Sequence, residues 1–179
     1  MFTYCLFCET VKCRVVAHIA EQRMDCRAIA PVQVQHLRTR QGPVDVEHDL
    51  LPGYVFLYAE DKLDIAVIRR IEGVIRCLYD QDKKYELSGE DERFALMLLQ
   101  KNGVIGKTKV FRVGQRIQIC KGAFAGVEAR ILKVDHRRMR MQIELPFARQ
   151  SVKTWVEYEL VEGQEETIED APLTGDKVG

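Results

Sequence analysis

The sequence predicts an α+β protein, a ferredoxin-like α/β sandwich followed by a small β-barrel. Between residues 2 and 101, short apolar runs alternate with segments in which apolar residues recur at helical spacing. This order of strands and helices is typical of an α+β sandwich. After Val113 the apolar period becomes two and stays so through four short segments separated by turn residues. Such spacing is typical of a small barrel.

The chain divides into four parts. Residues 1–101 form the predicted N-terminal domain, and 102–112, with two glycines and two lysines, read as a linker. Residues 113–162 form the predicted barrel. The tail, 163–179, is acidic and has few large apolar residues. It cannot bury enough apolar surface to offset its ordering entropy, so we expect it to be mobile.

The N-terminal domain is predicted to begin with a strand and a helix, continue with a β-hairpin, and end with two strands that are each followed by a helix. The capping pairs Asp61 with Asp64 and Ser88 with Asp91 mark the starts of the second and third helices. The predicted strands are 2–8, the hairpin 29–48, 54–58 and 74–79, and the predicted helices are 12–24, 61–72 and 88–101.

A Pro52-Gly53 turn launches the most apolar of these strands. Since side chains alternate along a strand, Tyr54, Phe56 and Tyr58 share one face and aliphatic residues the other. We call these three residues the aromatic row. One face is enough for a core, so the row is a candidate partner surface. The alternative is that it packs under a helix, as aromatic rows in strands usually do.

The charge distribution places any nucleic-acid contact in the C-terminal half. The net charge of the 179 residues is zero, yet residues 109–162 carry a net +5 and the tail a net −4. No segment has the length of a membrane span or the pattern of an export signal, so we expect a cytoplasmic protein without membrane contact.

No catalytic, cofactor or metal site is predicted. Gly103–Thr108 ends like a phosphate-binding loop, but Lys101 stands where that motif needs its first glycine. Cys5 and Cys8 lack a second ligand pair at zinc spacing, and the four histidines match no catalytic signature. The six cysteines therefore read as ordinary thiols, and a cysteine-dependent enzyme is the most distant alternative.

The barrel region contains a basic hairpin tip and a candidate contact loop. Segment 133–140 clusters cations on a turn, where guanidinium groups can fork onto phosphates and stack on unpaired bases. A solvated hairpin is the alternative. Phe124 is expected to be exposed at a loop apex. The predicted nucleic-acid-binding residues are Lys121, Arg130, Lys133, Arg137, Arg138 and Arg140.

Over about residues 2–162 the sequence resembles the NusG family of transcription elongation factors. Segment 51–56, Leu-Pro-Gly-Tyr-Val-Phe, is similar to the Phe-Pro-Gly-Tyr-Val signature of the family's N-terminal domain, and 113–131 resembles a KOW motif, part of an SH3-like barrel. The resemblance implies a non-enzymatic factor that binds the clamp helices of bacterial RNA polymerase and bridges the DNA channel. Carried over to this chain, the contacts include Tyr4, Tyr54 and Phe56, with Cys8 where some relatives have an aromatic residue.

Three positions depart from the family pattern, Gln115 for Asp, Ala123 for Pro and Ala129 for Gly. The linker and segment 133–140 resemble LoaP, a paralogue type that acts on particular operons through structured leader RNA. The resemblance therefore implies a monomeric, operon-specific antiterminator that binds nascent RNA, with a hairpin as the expected element.

Two other functions stay open at this stage. One is a housekeeping factor that couples to ribosomal protein S10, through Phe124, or to the Rho termination factor. The other is a ribosome- or RNA-associated KOW protein without polymerase contact, in which the aromatic row is only core. Non-template DNA also stays open as a further partner.

Overall fold

The computed structural model describes residues 1–79, 82–113, 116–122, 124–125 and 129–161. Gln115, Ala123 and the predicted mobile tail lie outside them. The fold is α+β with few helices and extensive sheets, as the sequence predicted. None of the helices in the described ranges is long and apolar enough to cross a membrane.

The N-terminal elements follow the predicted order. The strands are β1 (Phe2–Cys8), β2 (Arg27–Ile29), β3 (Val32–Thr39), β4 (Gly42–Asp49), β5 (Tyr54–Ala59), β6 (Val74–Cys77) and β7 (Val104–Ile105). The helices are α1 (Cys13–Arg23), α2 (Ile65–Ile68) and α3 (Gly89–Gln100), with a short 3-10 turn, Thr10–Lys12, before α1.

A four-stranded sheet in the order β2-β5-β1-β6 forms the centre of this domain. All six residues of β5 are buried, which confirms the prediction of a central strand from its apolar composition. Gly53, which precedes β5, has a φ of +90°, and a Cβ there would meet the Phe7 ring at 3.1 Å. Glycine is therefore required by both the turn and the packing.

The two faces of this sheet bury different partners. One face packs against α1 through Val16, Ala17 and Ala20. The other carries the aromatic row and packs against α3, where the Tyr58 hydroxyl donates to the Ala95 carbonyl at 2.7 Å. A sheet with both faces covered needs apolar residues at successive positions, which is the pattern of β5.

One of the two predicted helix starts is wrong, and the other is right but lacks the expected capping bond. Helix α2 begins after Asp64, whose side chain accepts a hydrogen bond from the Ala66 N–H at 2.8 Å, so the predicted start at Asp61 is wrong. Helix α3 begins after Ser88 as predicted, but the serine side chain makes no capping bond. Three acidic residues in its first turn favour that end through the helix dipole instead.

The β3–β4 hairpin projects from the central sheet in a separate three-stranded sheet of order β4-β3-β7. Its register runs from Val32 opposite Asp49 to Thr39 opposite Gly42. Strand β7 pairs in parallel with β3 and lies inside the region read as a linker. That region therefore contains backbone ladder bonds, which its glycine and lysine content did not indicate.

The C-terminal part is a five-stranded sheet, curled into a small barrel, with the order β10-β11-β12-β8-β9. A two-residue turn joins β11 to β12, with Ala148 and Arg149 at φ +46° and +63°. Positive φ at both positions is typical of the type I′ turn, one of the two favoured hairpin turns of this length. The strands are β8 (Thr108–Val113), β9 (Arg116–Lys121), β10 (Arg130–Asp135), β11 (Arg140–Phe147) and β12 (Gln150–Leu160).

Candidate functional site

The aromatic row lies at the centre of the protein, on the sheet face opposite α1. Strand register sets its neighbours, because β1 pairs with β5 so that Phe7 lies opposite Tyr54 and Cys5 opposite Phe56. The Phe7 and Tyr54 rings meet edge to face at 5.4 Å. Phe7 thus belongs to this face, although the sequence analysis did not single it out.

Two of the predicted polymerase-contacting residues lie on the other face. Tyr4 and Cys8 are both about 1% exposed and pack with α1 and its neighbours. The Tyr4 hydroxyl accepts a hydrogen bond from the Leu63 N–H at 3.1 Å. Tyr4 and Cys8 therefore do not share a surface with Tyr54 and Phe56, because Tyr4 pairs with Leu57 in the register and so faces the aliphatic side.

The barrel covers the aromatic row. Phe147, at the end of β11, places its ring 6.4 Å from Tyr54, 5.5 Å from Phe56 and 5.7 Å from Phe94 of α3. All three contacts are edge-to-face, an arrangement that aromatic rings prefer. One continuous apolar core therefore runs from the central sheet into the barrel.

Phe124 is buried, so the prediction that it is exposed at a loop apex is wrong. It is 1% exposed, and its ring centroid lies 6.2 Å from that of Phe94. The physical reason is that α3 offers an apolar surface next to the loop, and burying an aromatic side chain there is favourable.

Side-chain hydrogen bonds between described residues join the N-terminal part of the chain to the barrel around this core. The Asp91 carboxylate accepts from the Ala148 N–H at 3.0 Å, and the Thr154 hydroxyl donates to the Leu50 carbonyl. The Gln33 carboxamide oxygen accepts from the backbone N–H of Glu157 at 3.1 Å. Burial raises the pKa of Asp91, an effect that the bond from Ala148 partly offsets.

The predicted nucleic-acid-binding cations spread over one end and one side of the barrel. Arg137 and Arg138 are exposed in the β10–β11 turn, where the Asp135 carboxylate accepts from the Arg138 N–H at 3.0 Å and fixes the turn. Arg130 lies opposite Glu144 at the far end of β10, and Lys121 lies on β9, three strands from β11. The structure therefore groups the arginines of the turn and separates Lys121 and Arg130 from them.

Arg140 has an aromatic neighbour that the sequence analysis missed. Its guanidinium carbon lies 5.1 Å from the centre of the Trp155 ring, and Trp155 is 40% exposed on the outer face of β12. The β11–β12 register brings them together, since Arg140 pairs with Glu157 and Gln142 with Trp155. The single tryptophan of the chain next to a basic turn is the signal that could have indicated it.

The thiols of Cys8 and Cys77 are buried, which does not suit a nucleophile. Burial raises the pKa of Cys8 and of Cys77 to about 12, so both remain protonated at neutral pH. No group of histidine, cysteine and acidic side chains within the described ranges could hold a metal ion.

We compared the chain with family models, curated proteins and solved structures to test the resemblance to the NusG family. The family model described as "Transcription termination factor nusG" matches residues 4–95, more than half of the chain. A search of curated proteins gives no significant match. Among solved structures, one described as "Domain interaction in Thermotoga maritima NusG" is similar with 14% identity and a TM-score of 0.48, over 87% of this chain and 93% of that one.

An α+β domain matched by this family model and followed by a curled sheet defines a non-enzymatic transcription factor. The chain belongs to the NusG family. Proteins of this family bind RNA polymerase and act in transcription elongation.

Proposed function

We propose that this protein is an operon-specific elongation and antitermination factor that binds the clamp helices of bacterial RNA polymerase through Tyr54 and Phe56. One observation carries the proposal. The barrel, a later part of the chain, supplies much of the cover over these aromatic side chains, and apolar contacts and the hydrogen bonds of Asp91, Thr154 and Gln33 hold it there. An apolar face covered by a movable domain can be exposed to receive an amphipathic helix pair.

Tyr54 and Phe56 are almost fully buried, so polymerase must compete with the barrel for them. We call the structure with the barrel on the aromatic row the closed arrangement, and one with the row uncovered the open arrangement. Polymerase binding then favours the open arrangement. Phe7, which packs on Tyr54, extends the proposed contact surface. Tyr4 and Cys8 support it from the opposite face of the sheet.

The second part of the proposal is that the β10–β11 turn binds nascent leader RNA, with a hairpin as the expected element. Arg137 and Arg138 are both exposed, and neither guanidinium pairs with a carboxylate within the described ranges. Exposed guanidinium groups carried on a fixed turn are suited to phosphates and splayed bases. The protein would then act in the cytoplasm on particular transcripts, as LoaP-type factors do.

A housekeeping role that couples to ribosomal protein S10 is less well supported. That contact would use Phe124, which is 1% exposed and packs against α3. In the closed arrangement the loop offers no aromatic side chain to a partner.

The polymerase contact is tested by titrating the purified full chain onto a bacterial elongation complex, with and without a structured leader RNA. The informative variant is Asp91→Ala with Thr154→Val, which removes two of the interdomain hydrogen bonds. Two such bonds contribute about 2 kcal/mol together. The variant should therefore bind the complex up to about 30-fold more tightly than the parent.

We call Asp91→Ala with Thr154→Val the released variant. The matched control adds Phe56→Leu to it, a substitution that keeps position 56 apolar but removes the ring. Binding should fall below that of the released variant, with far-UV circular dichroism unchanged. Equal binding by all three proteins would show that the aromatic row is core and not a polymerase surface. Tighter binding in the presence of leader RNA would support the RNA contact.

A further inference from the structure

A cleft of about 300 Å³ lies between the β3–β4 hairpin of the N-terminal domain and the outer face of β11 and β12. Gln33, Gln35 and His48 line it from the hairpin, and Arg140 and Trp155 line it from the barrel. Its volume is at the lower end of the range for small-ligand sites, about 300–1,000 Å³. We call it the interdomain cleft.

The barrel wall of the interdomain cleft carries an aromatic ring and a guanidinium group. Trp155 is 40% exposed, and the Arg140 guanidinium lies against its ring, 5.1 Å from the centroid. Nucleobases stack on exposed aromatic rings and on guanidinium planes, because every base has a π-face. The wall is therefore suited to one planar heterocycle.

The hairpin wall offers an unpaired hydrogen-bond donor. Gln33 is 5% exposed, and its carboxamide oxygen is used by the Glu157 N–H. This bond fixes the orientation of the carboxamide and leaves Nε2 without a hydrogen-bond partner in the described part of the chain. A buried donor without a partner is unfavourable, so an occupant with a ring nitrogen or carbonyl oxygen is favoured there.

The charges of the interdomain cleft narrow the class of ligand. Arg140 and Lys153 are balanced by Asp49 and Glu157, which also line it. A polyphosphate would need an excess of cations, whereas a base with both donors and acceptors suits a mixed wall. His48 and Gln35, hydrogen-bonded to each other at 2.9 Å, add further polar groups.

We propose that the interdomain cleft binds a single unpaired nucleobase, carried by a free mononucleotide or by single-stranded RNA. This site goes beyond the proposed polymerase and hairpin contacts. Its walls come from both domains, so a bound base contacts both only while the barrel is docked. Binding therefore favours the closed arrangement and lowers the affinity for polymerase.

The test uses the intrinsic fluorescence of the full chain, because Trp155 is its only tryptophan. The probes are AMP, GMP, CMP and UMP, an unstructured single-stranded RNA, and ribose 5-phosphate as the control without a base. We expect saturable quenching by a mononucleotide or by the RNA, and none by ribose 5-phosphate. Gln33→Ala should weaken this binding about tenfold, since it removes the buried donor and also the acceptor for the Glu157 N–H that holds this wall of the cleft against the barrel.

The two sources give different results. Quenching by mononucleotides assigns the cleft to free nucleotide, and quenching by RNA alone assigns it to a base within a chain. No saturable quenching by any probe, or equal quenching by ribose 5-phosphate, overturns the proposal. So does unchanged affinity in a folded Gln33→Ala variant.

Failure of this inference is separable from failure of the proposed RNA contact. Arg137→Ser with Arg138→Ser should lose hairpin RNA but keep the nucleotide quenching, because neither arginine lines the interdomain cleft. Gln33→Ala should weaken the nucleotide quenching but keep the binding of hairpin RNA. A polymerase-binding assay with saturating nucleotide completes the test, and a nucleotide that raises polymerase affinity would contradict closure by the ligand.

Discussion

Asp91 links the closed arrangement to pH. Its carboxylate is half-buried at the domain junction, and burial raises its pKa. An acid with a raised pKa binds more protons in the closed protein than in the open or unfolded one. Asp91 therefore favours closure most when the pH is below the ordinary aspartate pKa. This contribution falls as the pH rises through the raised pKa of Asp91.

Asp91→Asn tests this, because an uncharged carboxamide can still accept from the Ala148 N–H and does not titrate. We expect the variant to be at least as stable as the parent at neutral pH, with the difference shrinking as pH falls. The measurement is the free energy of unfolding of both proteins by urea between about pH 3 and 7. A difference that does not change with pH would contradict the assignment.

At the scale of single residues, the sequence located the aromatic row but not all of its neighbours. Alternation along β1 separates Tyr4 and Cys8 from Phe7, and only the pairing register shows which set faces Tyr54. Register depends on contacts between segments about 50 residues apart, which a local pattern does not contain. Phe7 was missed and Tyr4 misplaced for this reason.

At the scale of elements, the β10–β11 turn is the best test of the RNA contact. Arg137→Ser with Arg138→Ser leaves Asp135 to hold the turn and removes two exposed cations. Affinity for a leader hairpin should fall at all salt concentrations, and the slope of log affinity against log salt should shrink by about two units. Filter binding of the full chain across a salt series measures both.

The matched control for that pair is Lys121→Ser, which removes an exposed cation from β9, three strands away from β11. If the turn is the binding element, Lys121→Ser should change the slope by less than Arg137→Ser or Arg138→Ser made singly. Equal changes from all three positions would instead indicate a diffuse electrostatic attraction to the basic barrel.

Strands and helices with a strong apolar pattern could be predicted from the sequence. The bounds of short elements, which depend on their neighbours, could not. Strand β1 matches its predicted range, Phe2–Cys8, because six of its seven residues are apolar or aromatic and the other, Thr3, is β-branched. Strand β7 has only two residues and forms because β3 offers an open edge. Helix α2 ends after four residues, although the apolar stripe suggested more.

At the scale of the whole molecule, the docking of the barrel was not predictable from the sequence. Periodicity shows that a strand has an apolar face, but not which of two apolar surfaces it will meet. Phe124 and Phe147 both pack on Phe94 of α3, so a loop expected to be exposed became part of the core. For the same reason, the alternation of residues indicates the candidate polymerase surface, but the docked barrel buries it.

We expect the docking of the barrel on the N-terminal domain to depend on Phe147. Replacing it with alanine removes the ring that touches Tyr54, Phe56 and Phe94, at a cost of about 3–5 kcal/mol for a buried phenylalanine. Since Phe147 belongs to the barrel and these three rings to the N-terminal domain, the loss falls mainly on docking. The single unfolding transition expected of the closed chain should then split into two.

Small-angle scattering gives an independent reading of the same change. The closed chain should have a radius of gyration of about 16 Å, and Phe147→Ala should increase it. Met141→Ala is the control, because Met141 pairs with Val134 and Val156 within the barrel and its loss should lower stability without separating the domains. If Phe147→Ala stays as compact as the control, the interdomain hydrogen bonds suffice to hold the barrel, and polymerase would have to break them rather than displace a ring.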